Sequence, residues 1–186
     1  AVFIKNPASH KSKKSIIKKR FKTYLNFINL KNALLLSHQI KNMTKLILDT
    51  DPGVDDAMAI EFALNSKELD LIGLTTVFGN VNVDLATTNA LRLIDLGNRP
   101  DIRVAKGAVK PLQDTFSGGV PFVHGDDGQG NTWHPESQLK AINQSATDFI
   151  IEQVKHFPNE ITLAAVGPLT NLALALEKAP EIQDLV

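Results

Sequence analysis

Leu46-Ile47-Leu48-Asp49-Thr50-Asp51-Pro52-Gly53-Val54-Asp55-Asp56-Ala57-Met58-Ala59-Ile60 is the stretch whose reading decides the fold. A short aliphatic run bounded by a turn signal predicts a strand buried on both faces, as in a parallel sheet. From Val54 onward the apolar residues Val54, Ala57, Met58, Ile60, Phe62, Ala63 and Leu64 form a broad stripe at helical spacing, so strand, tight turn and helix follow one another. Side chains alternate along a strand, which sends Asp49 and Asp51 the same way, while Asp55 and Asp56 open the helix. Four acids so close repel one another and raise their own pKa values unless a cation neutralises them. A helix N-terminus offsets only about 0.3–1 kcal/mol per exposed charge, too little for such a cluster. An all-oxygen donor set favours Ca²⁺ or Mg²⁺ over zinc or copper. The plainer alternative is a helix cap, the ordinary role of an Asp in a first turn, but four acids in this spacing after an apolar strand are more specific than a cap.

Outward from this stretch the pattern repeats. Leu69 to Val77 reads as a second buried strand ending at Phe78-Gly79-Asn80; Val83 to Leu96 as a helix stopped by Gly97; Ile102 to Ala105 as a third strand. Ala146 to His156 reads as a helix, Ile161 to Val166 as a fourth strand, and Gly167-Pro168 as the turn into a helix over Leu169 to Leu176. The expected class is α/β, a mostly parallel sheet with helices on both faces and a Rossmann-like start. Such sheets take ligands at the carboxyl ends of their strands, where Asp51 and Asn80 both fall. Lys106 to Glu136 breaks the rhythm with repeated Gly and Pro, yet holds Phe116, Phe122, Val123 and Trp133, and is read as a rim or lid over the cleft. His124 within it could touch substrate or be fixed by local hydrogen bonds; His134 and His156 read as structural.

Composition divides the chain. Its 186 residues carry 20 Lys and Arg against 20 Asp and Glu, a balance that conceals a basic, acid-free segment before Met43 and an acidic remainder. Residues 1–42 could contact nucleic acid or an anionic membrane, but the simpler expectation is a basic extension outside the fold, with Met43 as the natural start and residues 43–186 as the domain. No run reaches the roughly 18 apolar residues of a membrane span. The absence of cysteine removes disulfides and thiolate zinc sites and allows a reducing, cytoplasmic setting.

Asp49-Thr50-Asp51-Pro52-Gly53-Val54-Asp55-Asp56-Ala57 resembles the signature of the inosine-uridine preferring nucleoside hydrolases. Three later stretches fit the same family in order: Thr75-Thr76-Val77-Phe78-Gly79-Asn80, Val123-His124-Gly125-Asp126-Asp127-Gly128 and Ala165-Val166-Gly167-Pro168-Leu169-Thr170-Asn171. The resemblance implies a nucleoside hydrolase-like fold, incomplete at the C-terminus, and hydrolysis of the N-glycosidic bond of a ribonucleoside to ribose and free base. It implies Ca²⁺ held by Asp51, Asp56 and the Val166 carbonyl, with Asp51 also the general base. Asp55, Asn80 and His124 would meet substrate, and Asp49 would brace the ligands from behind. The implied partner is a small ribonucleoside, with no nucleic acid or membrane, in a homo-oligomeric parent enzyme. The alternatives are a truncated non-catalytic fragment, a metal-dependent ribose-binding module, or a haloacid-dehalogenase-like phosphatase. That last family wants a small residue and Thr after its second Asp, where this chain has Pro52-Gly53.

Overall fold

A computed structural model describes residues 43–186, and the expectation for residues 1–42 lies outside them. Met43–Val186 forms one unit built on a four-stranded sheet. The strands are β1 (Thr44–Thr50), β2 (Leu69–Thr76), β3 (Arg103–Lys106) and β4 (Ile161–Ala165), all parallel, in the order β3-β2-β1-β4. Consecutive parallel strands need crossovers, and the helices α1 (Val54–Asn65), α2 (Val83–Leu96) and α4 (Ala146–His156) lie in them; α3 (Pro121–His124) is a single turn, and α5 (Thr170–Lys178) follows β4. A 3₁₀ turn at Pro180–Asp184, unforeseen from the sequence, anchors the last segment through buried Ile182.

The period-two pattern of β1 sorts the core into two layers. Leu46 and Leu48 pack with Ile60 and Ala63 of α1 and Leu93 and Ile94 of α2. Ile47 turns the other way, against Phe149, Ile150 and Val154 of α4 and Ala175 of α5. Helices therefore cover both faces, as expected. The register slips once, between Leu46–Leu71 and Ile47–Gly73. A side chain at Gly73 would meet the Phe149 ring at 2.5 Å, so the slip seats a residue without Cβ where α4 presses closest.

The broad apolar stripe foreseen for α1 is only partly used. Asp56, Ile60 and Ala63 face inward, whereas Val54, Met58 and Phe62 are exposed, the last two by more than 70%. A helix lying on a sheet buries one arc, and α1 carries more apolar residues than that arc holds. Phe122, Val123 and Trp133 in the long loop are likewise exposed. β4 closes at Ala165, one residue before Val166. Among the described residues, no helix is long and apolar enough to cross a membrane.

Candidate active site

β1 delivers its acids to the carboxyl edge of the sheet and the turn after it spreads them apart. Asp49, the last acid within the strand, is fully buried; its Oδ1 accepts from Thr75 Oγ1 at 2.5 Å and from Asn171 Nδ2 at 2.8 Å. Asn171, at the start of α5, also donates to the Thr76 carbonyl, and its Oδ1 accepts from the Ala108 amide. One side chain thus ties three strand ends together. Burial pushes the Asp49 carboxyl up to about 6, against the lowering pull of those two bonds.

Asp51 lies just beyond the strand and is 4% exposed. Its Oδ2 accepts from the Asn80 backbone amide at 2.6 Å, while its Oδ1 is buried with no partner among the described residues. Desolvation, with the charges of Asp56 and Asp55 adding to it, pushes Asp51 up to about 7 despite the Asn80 bond. The carboxylate is wedged between two glycines. A Cβ on Gly167 would stand 2.6 Å from Oδ1, and one on Gly79 would collide with Oδ2. Both glycines are required by space, because any larger residue would displace the carboxylate.

Asp56 occupies the first turn of α1 and plays two parts. Its Oδ2 accepts from the Gly53 amide at 3.3 Å, half of a capping box, so the plain cap reading is correct for this one bond. The same carboxylate accepts from Thr50 Oγ1 at 2.5 Å and from Asn80 Nδ2 at 2.8 Å. Asn80 accordingly grips Asp51 through its backbone and Asp56 through its side chain. Asp55 points outward, with its side chain 80% exposed.

The expected knot of four acids is therefore a pair, Asp51 and Asp56, with Asp49 engaged behind it and Asp55 in front. Among the described residues, no Lys or Arg bonds to Asp49, Asp51 or Asp56. Among the described residues, no group of three or more His, Asp or Glu side chains forms a complete metal cage. The strand geometry explains the difference: Thr75 and Asn171 hold Asp49 by its Oδ1 inside the sheet edge, leaving its Oδ2 buried without a partner among the described residues, and the Pro52-Gly53 turn carries the chain away before Asp55. What remains suits part of a hard-cation site, since the donors are all oxygen and a buried carboxylate oxygen lacks a partner.

His124, on α3, is buried beside the turn; its Nδ1 accepts from the Val54 amide at 3.2 Å and lies 3.7 Å from Asp55 Oδ1. Because that lone pair is used, the ring proton sits on Nε2 and the Asp55 contact is not an ion pair. The local bond that rivalled substrate contact in the sequence is present. Val166 donates its amide to the Asp49 carbonyl and is half exposed.

Several residues here were not singled out beforehand. Asn171, Asp127 and Gly167 lay inside quoted motifs with no role attached; Asn89 and Gln129 carried no signal, being single amides in a helix and a loop.

The inosine-uridine preferring nucleoside hydrolase family model matches residues 46–186. This chain belongs to that family. A probable uridine nucleosidase 2 of Arabidopsis thaliana is 54% identical over 143 residues, covering 76% of this chain and 44% of the relative. A solved plant nucleoside hydrolase is 50% identical with a TM-score of 0.75, covering 77% of this chain and 45% of its own. A purine-preferring ribonucleoside hydrolase from Gardnerella vaginalis is 45% identical with a TM-score of 0.74, covering 76% and 46%. The chain spans less than half the length of these relatives.

Proposed function

We propose that the protein hydrolyses the N-glycosidic bond of ribonucleosides, with Asp51 as general base. The observation that carries this reading is the partnerless Asp51 Oδ1, buried at the carboxyl edge of the sheet on a carboxyl pushed up to about 7. With a cation bound beside it, that carboxyl would be held deprotonated, ready to take a proton from water. The Asn80 amide on Oδ2 holds the carboxylate in one orientation, leaving Oδ1 to receive the proton. Gly79 and Gly167 keep side chains away from both oxygens. On this reading Asp55, exposed beside the turn, and Asn80 would meet ribose hydroxyls, with His124, 3.7 Å from Asp55, beside them. As positive charge develops on the sugar toward an oxocarbenium-like state, the surrounding carboxylates stabilise it.

Ca²⁺ is the proposed cofactor, with Asp51, Asp56 and the Val166 carbonyl as its ligands from this chain. When bound, it would lower the pKa of a water and grip the ribose diol. Asp49 braces the group from behind through Thr75 and Asn171. A cytoplasmic homo-oligomer completes the proposal, on the resemblance alone, and residues 1–42 are proposed to lie outside the domain.

The test is ribose release from uridine and inosine, in Ca²⁺ and in chelator, by the chain and by Asp51→Asn. The expected result is Ca²⁺-dependent release that the substitution lowers about 10²–10⁴-fold. Equal release by both proteins rejects Asp51 as the base. Ribose binding by calorimetry with no release from any nucleoside would favour the binding-module alternative.

A further inference from the structure

The turn that separates Asp51 from Asp56 is held from outside by two amide side chains that neither the family motifs nor the proposed chemistry uses. Asn89, on α2, is completely buried; its Nδ2 donates to the Pro52 carbonyl at 3.1 Å and to the Asp127 carbonyl at 3.0 Å. Its orientation is not ambiguous, because Arg92 Nη1 donates to its Oδ1 at 3.1 Å and so turns Nδ2 toward the two carbonyls. From the loop side, Gln129 Nε2 reaches the Pro52 carbonyl at 3.3 Å and the Gly53 carbonyl at 3.2 Å.

The loop that supplies Gln129 is itself held to one conformation. Asp127 accepts from the backbone amides of Gln129, Asn131 and Trp133, each at 2.8 Å. Gly128, Gly130, Asn131 and Trp133 all take positive φ, and Trp133 at φ 50 is a strained choice for an aromatic residue. A side chain on Gly128 would meet Asn89 Nδ2 at 2.9 Å and Val81 Cγ1 at 2.7 Å, so the loop backbone rests directly on Asn89. His124 adds the Val54 amide to the same connection.

We infer that Asn89 and Gln129 are positioning residues that couple the 125–133 loop to the aspartate turn, so that loop order and the placement of Asp51 relative to Asp56 rise and fall together. The catalytic part of this inference rests on the hydrolase reading; the coupling itself does not. A buried amide bridging carbonyls of two segments loses both bonds at once when removed, and neither carbonyl can reach water without the loop lifting.

The experiment measures amide hydrogen exchange along the whole chain for the native protein, Asn89→Asp and Gln129→Ala, alongside ribose release. Asn89→Asp keeps the shape and the Arg92 contact but sets a carboxylate against two carbonyls. Gln129→Ala leaves the core untouched and serves if the first variant fails to fold. The expected result is exchange faster by tenfold or more in residues 53–57 and 126–133 together, with α4 and β4 unchanged. For hydrolysis, kcat falls at least tenfold while KM stays within about twofold. Faster exchange confined to 126–133, or a kcat at the native level, overturns the inference. A native protein that releases no ribose would defeat the hydrolase reading, and the exchange pattern would still decide the coupling.

Discussion

Asp51 and Asp127 are equally inaccessible, at 4% and 3% exposure, yet they titrate in opposite directions. Burial works to raise both. In Asp127 it is overcome by the amides of Trp133, Gln129 and Asn131, which hold the carboxyl below its ordinary value. Asp51 receives one amide outside its own backbone, from Asn80, and faces two neighbouring acids, so its carboxyl rises to about 7. Low exposure alone therefore says little about a carboxylate's role, since Asp51 also lies deeper among protein atoms than Asp127 does. Depth of burial, neighbouring acids and the number of N–H groups aimed at it together separate a structural staple from a group left with unspent proton affinity.

The sharpest way to break the comparison is to neutralise each acid. Asp51→Asn should leave the unfolding temperature equal or higher, since a strained buried acid disappears, while ribose release falls about 10²–10⁴-fold. Asp127→Ala should do the reverse in stability, costing about 1–3 kcal/mol in denaturant unfolding by leaving three amides without an acceptor. A loss of stability in Asp51→Asn larger than in Asp127→Ala would undo the contrast.

Packing around the two acids supplies the next test. Gly79→Ala drives a methyl group into Asp51 Oδ2 and should abolish ribose release. Gly130→Ala, in the Asp127 loop, finds only Val54 at 4.0 Å and carries just the strain of its φ of 71, about 1 kcal/mol. Comparable losses of ribose release in both variants would show that crowding at Asp51 is not the cause.

Dependence on pH should divide the two regions as well. Asp49 and Asp51 bind their protons more tightly folded than unfolded, so their stabilising contribution is full below the ordinary value of 3.8. It is lost as pH rises through about 6 and about 7. Asp127 has the opposite sign, its contribution being present above the ordinary carboxyl value and lost as pH falls through its lowered pKa. Melting curves in chelator from pH 4 to 8 should therefore decline toward high pH. The decline should flatten in Asp51→Asn and persist in Asp127→Ala. The smallest effect belongs to the outward face of α1: Phe62→Ser should change stability by no more than about 0.5 kcal/mol, because that side chain is 71% exposed.

Much of this architecture was legible in residue order. The run Leu46–Leu48, the stop at Pro52-Gly53 and the spans Val83–Leu96 and Ala146–His156 reflect local periodicity and capping, and the helices match their expected bounds. The overextended stripe of α1 was not legible, because the sheet, rather than the helix, determines which arc is covered. Nor was the separation of the acids, since Asp49 is claimed by Asn171, which lies 122 residues away.

By itself the order of amino acids determined that strand, turn and helix bring aspartates to the carboxyl edge of a parallel sheet, and to which family the chain belongs. Those outcomes depend on neighbours along the chain. Only the tertiary structure decided that Asp49 is held by two side-chain donors on one oxygen and Asp51 by a single backbone amide, each with its other oxygen bare. Hydrogen-bond donors for a buried carboxylate come from wherever the fold places them, and for Asp49 and Asp51 the donors Asn80, Thr75 and Asn171 all arrive from distant positions.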